Sequence, residues 1–227
     1  MNAYHLILEA SAFEKGLGNI KKWCANTSNE VKLSLYIPTF TLKELDFQRY
    51  KNKSFIARES LKFIEQVEER NERIKKNQKS NLDIIIEFPD MLDLVLWSEV
   101  LELAGSKHED AFNKLPKRLK NLLKSCIYLC HLSSEFDDDR KWLLVSENHE
   151  IQELACICKI PVISVIDADA ELSKNMNRRE FQLTQNFNKK ITESGRTEKN
   201  NEGQNVVKTK FDKTVYASRG SGILWAP

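Results

Sequence analysis

Tyr4-His5-Leu6-Ile7-Leu8-Glu9-Ala10-Ser11-Ala12-Phe13 is an apolar run that stops at one carboxylate and restarts as small and hydroxyl residues. A stretch of four or five apolar residues bounded in this way predicts a buried strand over Tyr4 to Leu8, and Ser11-Ala-Phe13-Glu14 reads as the start of a helix. That helix carries Leu17, Ile20 and Trp23 at three-residue spacing. The unit is strand then helix, and it repeats outward from here. Val31 to Ile37 is a second β-branched apolar strand ended by Pro38, followed by a helix for which Thr39 or Thr41 is a credible N-cap. A long charged helix from about Ser54 to Asn77 shows an apolar stripe through Ile56, Leu61, Ile64 and Val67.

Leu82 to Phe88, with three consecutive isoleucines before Pro89, predicts a third strand. Residues 90–110 fit no single pattern. Leu115 to Leu132 has helical apolar spacing, Trp142 to Val145 reads as a strand, Asn148 to Cys158 as a helix and Pro161 to Ile166 as a last strand, with a polar loop at Asp137-Asp138-Asp139 between. Strands that are nearly all apolar and separated by helices imply an α/β fold, a central parallel sheet covered by helices on both faces.

Composition limits what such a chain can be. Of 227 residues, 41% are hydrophobic and 30% charged, which suits a folded protein and is too apolar for a wholly disordered one. No run of about 18 apolar residues occurs and the N-terminal stretch lacks a signal-peptide pattern, so a cytoplasmic protein without membrane contact is expected. Cysteines 24, 126, 130, 156 and 158 form no CxxC pair and read as buried free thiols; Cys126, Cys130 and His131 are the only approach to a zinc site, better explained as a helical core face. No metal or other cofactor is expected. His5, His108, His131 and His149 share no spacing with a nucleophile.

Charge divides the chain. Residues 1–170 carry 24 Lys and Arg against 27 Asp and Glu, whereas residues 171–227 carry 11 against 6. The second segment is polar, poor in apolar residues and basic, so the expected organisation is one domain over 1–170 and a flexible basic tail over 171–227. The tail ends abruptly in Arg219-Gly220-Ser221-Gly222-Ile223-Leu224-Trp225. Large apolar side chains at the end of a polar segment call for a docking partner, and Trp is the residue most enriched in binding hot spots. Arg219, Gly220, Ile223, Leu224 and Trp225 are therefore the expected partner-binding residues.

In open α/β sheets chemistry sits where strands hand over to helices, which here means Leu8-Glu9-Ala10-Ser11, Thr41 to Leu45 and Leu144 to Asn148. Glu9-Ala-Ser-Ala-Phe13 after the first strand, Pro38 followed by Glu44-Leu45-Asp46, and Leu143-Leu144-Val145-Ser146-Glu147-Asn148 together resemble the PIN-domain family, nucleases that gather three or four carboxylates around Mg²⁺ or Mn²⁺ to hydrolyse RNA. The resemblance covers about residues 1–170 and implies a PIN-like parallel sheet. It also implies four site positions, Glu9, Glu44, Asn121 and Ser146. At Glu9 the family's Asp is lengthened by a methylene. Asn121, beside Lys120, and Ser146 stand where acids are expected, with Glu147 adjacent to Ser146.

Two-metal phosphodiester hydrolysis needs enough negative charge to hold two cations a few Å apart. One intact acid and one lengthened acid fall short, so a degenerate, non-catalytic site is expected. The sequence is similar within that family to small fungal accessory factors of nonsense-mediated mRNA decay, in length, in Glu9 and Ser146, and in Arg219 to Trp225. That likeness implies a protein that binds the up-frameshift RNA helicase through domain and tail and modulates its RNA binding or ATPase activity, with RNA present inside the helicase complex. Two alternatives stay open: a metal-dependent single-strand RNA endonuclease using Glu9, Glu44 and Glu147, and a plain RNA-binding module.

Overall fold

The first strand, β1 (Asn2–Leu8), lies in the middle of the sheet, and its neighbours on either side come from opposite halves of the chain. The computed structural model describes residues 2–25, 31–75, 81–132 and 141–176. After β1 follow α1 (Ala10–Ala25), β2 (Val31–Ile37), α2 (Thr39–Lys51), α3 (Phe55–Lys75) and β3 (Leu82–Ile86). A 3₁₀ segment (Pro89–Leu94) then leads to α4 (Trp97–Ala104), α5 (Glu109–Asn113), α6 (Lys117–Ile127) with a π turn (Tyr128–Leu132), β4 (Trp142–Val145), α7 (His149–Ile157), β5 (Val162–Ile163) and α8 (Val165–Met176).

The strand order is β3-β2-β1-β4-β5 and every pairing is parallel. The α/β class and the sheet flanked by helices are as the sequence pattern implied. β2 and β4 coincide with their expected ranges because apolar β-branched runs there meet sharp stops, Pro38 after Ile37 and the hydroxyl Ser146 after Val145.

Alternation along the strands sends side chains to two cores. Ile7, Tyr36, Trp142 and Leu144 face one, packed with Val100, Phe112, Leu122, Cys126 and Ile151 from α4 to α7. Leu6, Leu8, Leu33, Leu35 and Val145 face the other, with Phe13, Ile20 and Trp23 of α1, Ile64 of α3 and Leu172 of α8. Helices cover both faces, which is why the strands are mostly apolar, although Lys32 of β2 is exposed and β3, at the sheet edge, is half-buried.

Three expectations need correction. The last strand stops at Ile163, not Ile166, because Ser164 caps a helix: its Oγ accepts the Asp167 N–H at 3.0 Å and donates to Asp167 Oδ2 at 2.7 Å, a reciprocal cap at three-residue spacing. Neither Thr39 nor Thr41 caps α2 through its side chain. The cap arrives from β3, where Glu87 Oε2 accepts the Thr39 N–H at 2.7 Å, while Thr41 Oγ1 donates to Leu8 O at 2.8 Å. Cys156 is exposed, unlike Cys126 and Cys158, because it sits on the outer face of α7.

The ambiguous residues 90–110 prove to be short pieces, the 3₁₀ segment and α4, which Gly105 ends with φ at 78°. The compact unit comprises residues 1–178: α8 spans the compositional boundary at residue 170 and buries Leu172 beyond it. Asp137-Asp138-Asp139 and residues 219–227 lie outside the described residues. Among the described residues no helix is long and apolar enough to cross a membrane.

Candidate functional site

Because β2 and β3 lie on one side of β1 and β4 and β5 on the other, the strand order reverses between β1 and β4, the position at which open parallel sheets form their crevice. Leu8 pairs with Val145 there, and Glu9 N–H continues the ladder to Val145 O at 3.2 Å. The next residues, Glu9 and Ser146, are therefore forced side by side. Glu9 Oε2 accepts from Ser146 Oγ at 3.0 Å, from the Ser11 N–H at 3.0 Å and from Ser11 Oγ in a very short contact.

Both hydroxyls are oriented from behind. Glu147 N–H donates to Ser11 Oγ at 2.8 Å and Asn148 N–H donates to Ser146 Oγ at 3.2 Å, which leaves each hydroxyl proton for Glu9. Glu9 is 2% exposed and Ser146 fully buried. Burial pushes the Glu9 carboxyl above its ordinary value of 4.5, against the opposing pull of hydrogen bonds from Ser11 and Ser146. The Glu9 carboxyl thus faces protein donors from both Ser11 and Ser146.

Glu147 does not lean into the site. Its Oε1 accepts the Val165 N–H at 2.7 Å and so caps the start of α8. Glu44, on the α2 face toward α6, forms an ion pair with Arg118 Nη1 at 3.0 Å. Asn121 lies one turn beyond Arg118 on α6, and both line a groove of about 410 Å³ with Lys43, Glu44 and Lys117. Of the four expected site positions, Glu9 and Ser146 are hydrogen-bonded to each other, while Glu44 and Asn121 line one groove in which Glu44 is paired with Arg118.

Arg118 and Glu87 were not singled out from the sequence. Lys120, the cation that the pattern suggested, turns away: its Nζ donates to Asn113 O at 2.8 Å and lies 5.0 Å from the centre of the Trp97 ring. Arg118 is three positions before Asn121, the helical spacing that places two side chains on one face, so the signal was present. Glu87 follows β3 as Glu9 follows β1. It is buried and accepts from Tyr36 Oη at 3.0 Å as well as from Thr39, which raises the Tyr36 hydroxyl far above its usual range through burial and the adjacent carboxylate.

The thiols take no part in such a site. Cys130 Sγ points to Trp142 O and His131 Nε2 lies 3.2 Å from Cys158 O. Burial pushes Cys24 and Cys130 up to about 12 and Cys158 to about 11. Among the described residues, no three His, Cys, Asp or Glu side chains are grouped as metal ligands would be.

No family model matches the chain. Whole-chain relatives do. A protein of Saccharomyces cerevisiae named nonsense-mediated decay protein 4 is 49% identical over 227 residues, which is all of both chains. One of the same name from Candida glabrata is 48% identical over 247 residues, again all of both. A third, from Kluyveromyces lactis, is 31% identical and covers 98% of this chain and 96% of its own. With identity at this level over nearly the whole of both chains, the chain belongs to the nonsense-mediated decay protein 4 family.

Proposed function

We propose that this chain is a non-catalytic accessory factor of nonsense-mediated mRNA decay, with a PIN-like unit, that acts in the cytoplasm by binding the up-frameshift RNA helicase through its folded unit and its C-terminal segment. The helicase's RNA binding or ATPase activity is what such a factor would modulate. The name shared by the relatives ties those proteins to the decay pathway, and we carry that role to this chain.

One observation supports the non-catalytic reading above others: Glu9, Glu44 and Glu147 are each already bonded within the chain. Glu9 accepts from two serines and a backbone amide, Glu44 is neutralised by Arg118, and Glu147 caps α8. Two-metal hydrolysis needs enough closely spaced carboxylate charge to hold two cations a few Å apart. A guanidinium at 3.0 Å from Glu44 offsets part of that charge.

Two measurements test the reading. The purified chain, with Mn²⁺ or Mg²⁺ present, is expected to leave unstructured RNA intact. Metal-dependent cleavage that disappears in Glu44→Ala would establish the endonuclease instead. In calorimetry with the helicase, Trp225→Ala or removal of residues 219–227 is expected to weaken the complex by more than about 1–2 kcal/mol, the cost of losing a hot-spot aromatic. Unchanged affinity overturns the role of the C-terminal segment.

A further inference from the structure

Helix α6 reads Lys-Arg-Leu-Lys-Asn-Leu-Leu-Lys-Ser-Cys-Ile over Lys117–Ile127, four cations and no acid. Arg118 is the most telling of them, since its side chain stays 62% exposed although it is paired with Glu44. Nη1 takes the bond to Glu44, and the exposed remainder of the guanidinium is accessible to an incoming acceptor, next to Lys43 and Lys117 in the same groove.

Alongside the groove runs a second feature. Phe88, Leu94 and Leu96 are 72%, 59% and 64% exposed, three large apolar side chains within nine residues. They are presented by ordered backbone: Met91 N–H donates to Phe88 O at 3.0 Å, and Leu96 N–H donates to Glu99 Oε2 at 2.7 Å. The strip is fastened to α6, where Lys124 Nζ donates to Leu92 O at 3.2 Å, and to the groove, where Thr39 is bonded to Glu87 just before Phe88. Large apolar side chains exposed close together along the chain are candidates for an interaction site.

We infer that the basic groove at Arg118 and the Phe88–Leu96 strip form one docking face for a protein segment whose acidic residues at one end reach Lys43, Lys117 and Arg118 and whose apolar side chains cover Phe88, Leu94 and Leu96. This deepens the proposed function, on which it rests for the partner's identity, by naming the face and the chemistry of the segment that meets it. Charge decides for a protein over a nucleic acid. Asp90 and Asp93 are exposed within the strip, so a polyanionic backbone that leaves the basic groove along this face would meet carboxylates there. A segment acidic at one end only avoids Asp90 and Asp93 and places its apolar part between them.

The test uses the full chain and two kinds of probe. Labelled synthetic peptides carry acids at one end and leucines at the other, with control peptides in which the acids become lysines or the leucines become serines, and with an oligouridine. The acidic and apolar peptide is expected to bind about tenfold tighter than any control, and to lose about fivefold or more in Lys117→Glu/Arg118→Glu and in Leu94→Ser/Leu96→Ser. Tighter binding of oligouridine that ignores the leucine variants, or peptide affinity equal in all variants, overturns the inference. If a double variant melts early, Arg118→Ala and Leu96→Ser serve singly, since both side chains are exposed.

A photo-crosslinker at position 96 in the complex with purified helicase separates the two claims. Helicase binding that depends on Trp225 but gives no crosslink from position 96 sinks the docking face and leaves the accessory role. Peptide binding without helicase binding leaves the face and sinks the partner.

Discussion

Glu9 is a buried carboxyl that accepts from Ser11 and Ser146, and the consequence is a pH dependence. Its carboxyl is raised above 4.5 chiefly because burial disfavours the ionised form. A group that holds its proton more tightly when folded contributes most below its unfolded value and loses that contribution as pH rises through the folded value. Glu9→Gln, which keeps an acceptor for Ser146 and Ser11 but cannot ionise, is therefore expected to gain stability relative to the parent as pH rises above 4.5. Thermal melts across pH 4.5 to 8 measure it. Parallel curves for the two proteins would mean that the carboxyl is not desolvated as the geometry implies. The acid at the end of the first strand was visible in the sequence. That Ser11 and Ser146, 135 positions apart, would close over it was not, because nothing local encodes which strand lies beside β1.

Among the elements, α1 and α8 pack closely at Gly16. Gly16 interrupts α1 with φ of −130° and ψ of 20°, and a Cβ placed there would stand 2.4 Å from Val165 Cγ1. Val is branched at Cβ and cannot swing its methyls away freely. Gly16→Ala is expected to cost about 1–3 kcal/mol through overpacking. In Gly16→Ala/Val165→Ala the same methyl enters space that Val165 has vacated, so the pair should cost less than the sum of the single changes by about 0.5–3 kcal/mol. Urea titrations of the four proteins measure the coupling, and strict additivity would show that the helices do not meet as described. The start of α8 illustrates why short elements evade sequence reading. Val162 to Ile166 is apolar enough for a strand, yet Ser164 with Asp167 three residues on is a helix cap, and the cap prevails over the apolar run. The cap of α2 is harder still, since Glu87 supplies it from 48 residues away.

At the scale of the whole molecule, the alternation of apolar strands and amphipathic helices made the α/β class readable, because burial on both faces leaves a strand no polar positions to spend. Position in the sheet was not readable: β1 sits between β2 and β4 only once crossovers of many residues have closed. The same limit applies to where the folded unit ends. Composition turns polar near residue 170, yet α8 runs on to Met176 and its far half is tied to the core. Leu172 is 1% exposed, and Glu171 O lies within reach of Tyr4 Oη at 3.5 Å. Asp169, just before the turn in composition, accepts from Trp23 Nε1 at 2.7 Å. Removing everything after Ala170 would strip Leu172 from its pocket against Phe13 and Trp23 and release the last turns that hold Asp169 in place. Such a truncation is expected to lose about 3 kcal/mol or more, the cost of a buried leucine with the cavity it leaves. Truncation after Arg178, the limit of the compact unit, keeps these contacts and should unfold within about 0.5 kcal/mol of the full chain. Urea denaturation of the two truncated chains beside the full one decides the matter: equal stability of both would place the end of α8 outside the core, and a large loss after Arg178 would make the C-terminal segment part of the fold.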